Sequence, residues 1–162
     1  MNEIYLIRHA KSSWDQSHLD DFDRPLDERG LRDGPRMAEA ISKTWECPEL
    51  ILSSPAVRAY QTAQFFRDAW DVSWGSFGIR SRIYEATPEA LWSLLIDEDK
   101  DLGRIALVGH NPGLSMLLNL LTGADRELKT ACVARIRLDQ KSLEQESARG
   151  QLIELLTPAG LA

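Results

Sequence analysis

The sequence predicts an α/β protein, a three-layer α/β/α sandwich with a mostly parallel central sheet and an antiparallel edge. Short apolar runs alternate with stretches of helical periodicity as far as residue 121, the pattern of a parallel sheet covered by helices. The first run, "EIYLIR" at residues 3–8, is apolar on successive positions, so both of its faces should be covered. Two late segments, "CVARIRLD" (132–139) and "QLIELLTP" (151–158), instead suit a sheet margin, the former because it alternates apolar and polar residues and so leaves one face exposed.

The elements follow in order. Residues 3–8 form the first strand, and the polar "DQSHLDDFDRPL" (15–26) is a loop. A helix follows over about 27–45, with Ala38, Ile41 and Trp45 at helical spacing. Pro35 either kinks that helix or moves its true start to near Gly34. "ELILSS" (49–54) is the second strand, and Pro55 opens the next helix at its first position. Ala56, Tyr60, Ala63, Phe66 and Trp70 give this helix an apolar stripe, and residues 71–78 are loop. A third strand near 79–84 ends at Tyr84-Glu85. Thr87-Pro88-Glu89 then supplies a cap, a first-turn proline and an acid for a helix to about Asp97. "RIALVGH" (104–110) is the fourth strand, and Asn111-Pro112 starts a helix to about Leu121. The two late segments pair across a polar turn.

Composition narrows the function. At 162 residues the chain fits one domain with a core that needs neither disulfide nor metal. The formal net charge of −6 argues against non-specific binding to nucleic acid or membrane surfaces. It leaves room for an anionic substrate, which needs only local positive charge. Two cysteines, Cys47 and Cys132, make no disulfide framework or metal cluster, and read as two buried thiols in a reducing compartment. With no basic stretch leading into an apolar leader at the N-terminus and no membrane span, the expected location is cytoplasmic. The charge run "DEDKD" (97–101) reads as a solvated helix end, and His18 as a solvent-facing loop residue.

In a sheet of this class, ligands bind at the carboxyl ends of the parallel strands. Those ends carry Arg8 and His9, then Ser53 and Ser54 with Arg58 in the first helical turn beyond, then Glu85, then His110 and Asn111. Each has an ordinary alternative. His9 alone reads as a hydrogen-bonded structural histidine, Arg8 as a surface arginine, His110 as a turn residue, and Glu85 as a polar strand end. Arg58 is the more telling, because a cation in a first turn opposes the helix dipole by a few tenths of a kcal/mol to ~1 kcal/mol. An anion shared with the helix N-terminus would explain it. Arg8 and His9 would face opposite ways on a strand, so they share a pocket only if the backbone leaves the strand there. Trp45 and Trp70 fit helix stripes and are expected in the core. No metal-ligand spacing and no Gly-rich nucleotide loop accompanies these residues.

"LIRHA" at the first strand, "SSPAVRAYQTA" at the second and "LVGHNPG" at the fourth resemble the histidine phosphatase superfamily, also called phosphoglycerate-mutase-like. The usual Arg-His-Gly triplet is Arg-His-Ala here. "HAKSSW" followed by "DFDRPLDERG" is similar to the small SixA-like branch, the phosphohistidine phosphatases. The resemblance runs from residue 3 to about 122. It implies that His9 is the nucleophile and that Arg8, Arg58 and His110 hold the phosphate. Arg24 would add another guanidinium, and Ser12 a small polar contact. Glu85 is the nearest match to the proton donor of the larger relatives, and Asp21 competes for that role.

These residue types suit phosphoryl transfer. An imidazole is substantially neutral at pH 7 and attacks phosphorus without a separate strong base, giving a phosphohistidine that water hydrolyses. Guanidinium forks meet the charge that spreads over the phosphoryl oxygens, so neither metal nor cofactor is needed. The expected activity is a metal-independent phosphatase acting on protein phosphohistidine through an open, shallow pocket, since one helix and a short loop span Arg58 to Glu85 where the larger relatives it resembles have long insertions that roof the site. A phosphatase of a small phosphorylated metabolite shares the fold, and a non-catalytic phosphate-binding module shares the pocket.

Overall fold

The computed structural model describes residues 1–15, 18–139 and 150–161. Its six strands form one sheet in the order β3-β2-β4-β1-β5-β6. β1 (Glu3–Arg8) runs parallel to β4 (Arg104–Gly109), β4 parallel to β2 (Leu50–Ser53), and β2 parallel to the three-residue β3 (Phe77–Ile79). On the other side of β1, β5 (Val133–Leu138) and β6 (Gly150–Leu156) add the antiparallel margin. The turn expected between β5 and β6 lies outside the described residues.

The even covering of β1 follows from its sequence. Ile4 and Leu6 point to one face, where α3 (Pro88–Glu98) and α4 (Gly113–Thr122) bury Leu91, Leu94, Leu114 and Leu117. Tyr5 and Ile7 point to the other, where α1 (Glu28–Thr44) and α2 (Val57–Trp70) bury Met37, Ile41, Phe66 and Trp70. Trp45 and Trp70 are core residues, in contact with the Tyr5 ring at centroid distances of 5.2 and 5.7 Å. A continuous apolar strand is thus what a two-faced layer requires.

Several boundaries differ from expectation. α1 begins at Glu28 with Asp27 accepting from the Gly30 amide, and it continues through Pro35. Pro35 and Leu31, whose carbonyl loses its helical donor to the proline, are both exposed, so water can satisfy that carbonyl. The adjoining Gly34 has a different task, because a Cβ there would stand 2.6 Å from the Phe65 ring of α2. Pro55 precedes the cap of α2 and is not its first residue. The third strand comes earlier and is shorter than expected. After Ile79 the chain turns through a 3-10 segment at Ser81–Ile83, so Glu85 follows a turn and not a strand. α4 starts at Gly113, two residues late, because Asn111 caps it from outside by accepting from the Ser115 amide. Cys132 is buried, but Cys47 is exposed, which corrects the reading of two buried thiols. The 97–101 run is paired as well as solvated: Asp97 accepts from Arg82, Glu98 from Arg80, and Asp99 from the N-terminal ammonium. His18 is exposed, as expected.

Candidate active site

The carboxyl ends of β1, β4 and β2 lie side by side, because these strands are parallel and in contact. A cleft of about 650 Å³ opens over them, lined by Arg8, His9, Ser12, Asp21, Arg24, Arg58, Glu85 and His110 among others. The eight residues given a site role, with Asn111, therefore border one cavity, whereas Ser53 and Ser54 do not line it. It is open to solvent and is not closed over His9. Arg58, in the first turn of α2, lines it.

Arg8 and His9 share the cleft because β1 ends between them. The His9 amide still donates to the Gly109 carbonyl of β4, while the His9 carbonyl accepts from Ala131, just before β5. The next amide, on Ala10, leaves the sheet and donates to Thr62 Oγ1 of α2 (3.0 Å), and that hydroxyl donates to the Arg58 carbonyl (2.8 Å). Thr62 therefore couples the turn carrying His9 to the helix turn carrying Arg58. The methyl of Ala10, where the family pattern has glycine, is fully buried in the core on the α1–α2 side.

The His9 ring is buried and donates from Nδ1 to the Ala10 carbonyl at 2.8 Å. A carbonyl only accepts, so the hydrogen resides on Nδ1 and the lone pair on Nε2. Burial lowers the pKa of His9 to about 3; the Ala10 bond is the next largest influence and opposes it, while His110, Arg58 and Arg8 add smaller lowering effects. His110 packs 5.2 Å from it, centroid to centroid, and is lowered to about 4 by burial and then by Arg58. Both rings are uncharged at neutral pH. His110 Nε2 lies 2.7 Å from Ser54 Oγ. That hydroxyl also accepts from the Ala56 amide and keeps one hydrogen and one lone pair, so it can pair with Nε2 in either His110 tautomer.

The positive charge is held in place from outside the sheet. Arg8 Nη1 donates to the Leu128 carbonyl (3.0 Å), and the buried Arg58 donates to the Asp21 carbonyl (2.6 Å) and to Asp21 Oδ2 (3.0 Å). Arg24 reaches Asp21 Oδ1 (2.8 Å) and Ser12 Oγ (2.8 Å), and stacks against the exposed Trp14 ring at 3.6 Å. Tyr84 completes the group, its hydroxyl donating to Asp21 Oδ2 at 2.7 Å. Partial burial alone would raise the Asp21 pKa. The bonds from Tyr84, Arg24 and Arg58 overcome that and hold it well below the usual carboxylate range. Burial and the same carboxylate push Tyr84 up to about 12, so it stays a donor. Glu85 sits exposed at the rim, with its backbone in the left-handed region (φ 52°).

Sequence reading missed three residues of this arrangement. Thr62 and Trp14 were not singled out, and Tyr84 was noted only as a strand end. Thr62 lies one turn after Arg58, a spacing that places it on the same helix face and was the available signal. Nothing local links Tyr84 to Asp21, 63 residues away. No group of three or more histidine, cysteine or acidic side chains suited to a metal occurs among the described residues.

Residues 4–85 match the histidine phosphatase superfamily (branch 1). A chloroplastic protein of Arabidopsis thaliana is 33% identical over 153 residues, covering 90% of this chain and 70% of the relative. The Agrobacterium tumefaciens chain described as a SixA phosphohistidine phosphatase is 30% identical, covers 97% of this chain and 98% of its own, and superposes with a TM-score of 0.83. The protein histidine phosphatase SixA solved with tungstate shares the fold at a TM-score of 0.85 and 20% identity, with 99% of each chain covered. The chain belongs to the histidine phosphatase superfamily, and on that ground is a phosphatase of the histidine-nucleophile type.

Proposed function

We propose that this phosphatase acts without a metal on phosphohistidine carried by another protein, with His9 as its nucleophile. The observation that carries this reading is the bond from His9 Nδ1 to the Ala10 carbonyl, which leaves Nε2 bare beside Arg8, Arg58 and His110. Nε2 attacks phosphorus, the bond from phosphorus to the substrate imidazole breaks, and its electron pair stays on that ring, which leaves as neutral imidazole when its other nitrogen carries a hydrogen. Water then attacks the phosphorus on His9, releasing inorganic phosphate and restoring the imidazole. Arg8 and Arg58 meet the charge on the phosphoryl oxygens. His110 Nδ1 is a buried atom with no protein partner, and in the tautomer that carries its hydrogen there it would donate to one of those oxygens.

The choice of substrate rests on the acid. A leaving imidazole needs far less proton assistance than an alkoxide. Asp21 is held ionised by three donating side chains and is poorly suited to give up a proton it does not carry. Glu85 is exposed at the rim and is the remaining candidate for an ester substrate. A half-open cleft also admits a side chain borne on a protein surface.

The test is turnover of a phosphohistidine peptide and an aryl phosphate by wild type and His9→Ala. The expected result is acid-labile, alkali-stable labelling of wild type during turnover, and loss of both label and activity in the variant. Full activity in His9→Ala overturns the assignment of the nucleophile. A large loss of rate on adding EDTA overturns metal independence, and a strong preference for small phosphate esters over the peptide moves the substrate class.

A further inference from the structure

A second groove, about 580 Å³, runs along the outside of α4 and opens into the cleft. Pro88, Asn111, Pro112 and Met116 border both, so whatever enters the cleft on this side lies against the groove. Its floor is unusual for a helix surface. α4, "GLSMLLNLLT", carries no charged residue. The inward face is already supplied by Leu114, Leu117, Leu118 and Leu121, yet Met116 and Leu120, one turn apart, are apolar too and stand 51% and 49% exposed.

The polar groups near this floor are already engaged. Ser115 Oγ donates to Asn111 Oδ1 and accepts from the Leu128 amide, Asn111 Nδ2 donates to the Leu128 carbonyl, and Asn119 Nδ2 donates to the Ala124 carbonyl. Little is left to orient a small polar ligand, whereas apolar side chains would cover exposed surface. The rim is acidic on balance, with Glu89, Asp125 and Glu127 around a single Arg126. The cleft alongside is cationic.

We propose that this groove seats the protein segment that carries the phosphohistidine, and that the segment presents apolar side chains next to the modified residue with basic side chains flanking them. The proposal rests on the substrate reading given above and adds the local chemistry of the partner. The phosphoryl group enters the cationic cleft, the neighbouring apolar side chains cover Met116 and Leu120, and the lysines or arginines meet the acidic rim. An uncharged stripe of this kind, rimmed by polar residues, marks an interaction surface.

Two peptides test it, each with a non-hydrolysable phosphonate in place of the phosphohistidine: one flanked by leucine and lysine, the other by serine, glycine and glutamate. Binding is read by fluorescence anisotropy, so the outcome does not depend on turnover. The leucine–lysine peptide should bind about tenfold tighter or more. Leu120→Glu, an exposed position outside the cleft, should remove that preference and leave aryl phosphate turnover unchanged. Asp125→Lys should weaken the lysine peptide in particular. Equal binding of the two peptides, or a preference that survives Leu120→Glu, overturns the docking proposal. Self-association that Leu120→Glu abolishes assigns the groove to a second copy and also overturns it. Failure of the substrate reading looks different: hydrolysable phosphohistidine peptides are not turned over, whatever the anisotropy shows.

Discussion

One hydrogen atom, on His9 Nδ1, decides which nitrogen faces the cleft, and the residues around it act by keeping that ring and Arg58 in register. Thr62 does so through two hydrogen bonds. Thr62→Val leaves the buried Ala10 amide unpaired, at a cost of about 1–3 kcal/mol. A misplaced nucleophile lowers kcat by roughly 10²-fold for a shift of about 1 Å. Urea midpoints and kcat should therefore fall together in Thr62→Val and recover in Thr62→Ser, which keeps the hydroxyl. Arg58 shows a related economy of charge. A cation in the first turn of α2 is unfavourable alone, and Asp21 offsets it with a carboxylate and a carbonyl. We read Asp21 as an internal anion that aims Arg58 and Arg24. Asp21→Asn keeps an acceptor but removes the charge competing for those guanidiniums. Inorganic phosphate should then inhibit about tenfold more strongly, the modest scale expected of a half-exposed ion pair. Rates on phosphohistidine and on an alkyl phosphate should change alike. A selective collapse on the alkyl phosphate would instead show that Asp21 donates the proton.

The elements bring these residues together by close approach, and glycine sets the distance where α4 begins. A Cβ on Gly113 would collide with the Ala86 carbonyl oxygen, on the segment that carries Tyr84 and Glu85 into the cleft. Backbone must move to admit it, so Gly113→Ala should cost about 1–3 kcal/mol and lower kcat/KM as Tyr84 shifts from Asp21. Thermal melts and steady-state kinetics check both effects, and an unchanged melting temperature would show that the contact is easily relieved. The same region marks where the sequence was legible and where it was not. β1, β2 and β4 were readable because a doubly covered parallel strand is an unbroken apolar run, and their ends named Arg8, His9, Arg58 and His110. β3 was misplaced because "FGI" is too short to show a period and Gly78 interrupts it. Glu85 was consequently set on a strand end when it stands after a 3-10 turn with φ positive. The links from Tyr84 to Asp21 and from Ala10 to Thr62 join segments 63 and 52 residues apart. No local pattern encodes them, so they emerge only when the layers pack.

At the scale of the whole molecule, a site built from uncharged, buried imidazoles ties stability to pH. His9 and His110 have folded pKa values of about 3 and about 4, each below the unfolded value of about 6.5. Between those limits the unfolded chain binds protons that the folded chain excludes. Stability therefore rises with pH through this window and is lost as pH falls from about 6.5 toward 4, with the full contribution present above it. Each ring contributes a slope of about 1.4 kcal/mol per pH unit in the middle of the window, so the pair gives about twice that near pH 5. The Asp21 carboxylate, depressed in the folded state, adds loss of the same sign only at lower pH, where unfolded carboxylates begin to protonate. The two effects are thus separable on the pH axis. Urea unfolding at pH 7, 6 and 5 should show the steepening, and His9→Asn, similar in size but without a titrating ring, should remove about half of it. A bound phosphate analogue should flatten the curve further, because its negative charge favours the protonated rings and raises their folded pKa values. Equal stability at pH 7 and pH 5 in the free protein would mean that the rings titrate in the native state as they do in the unfolded chain, and a protonated His9 would have no lone pair on Nε2 for the proposed attack.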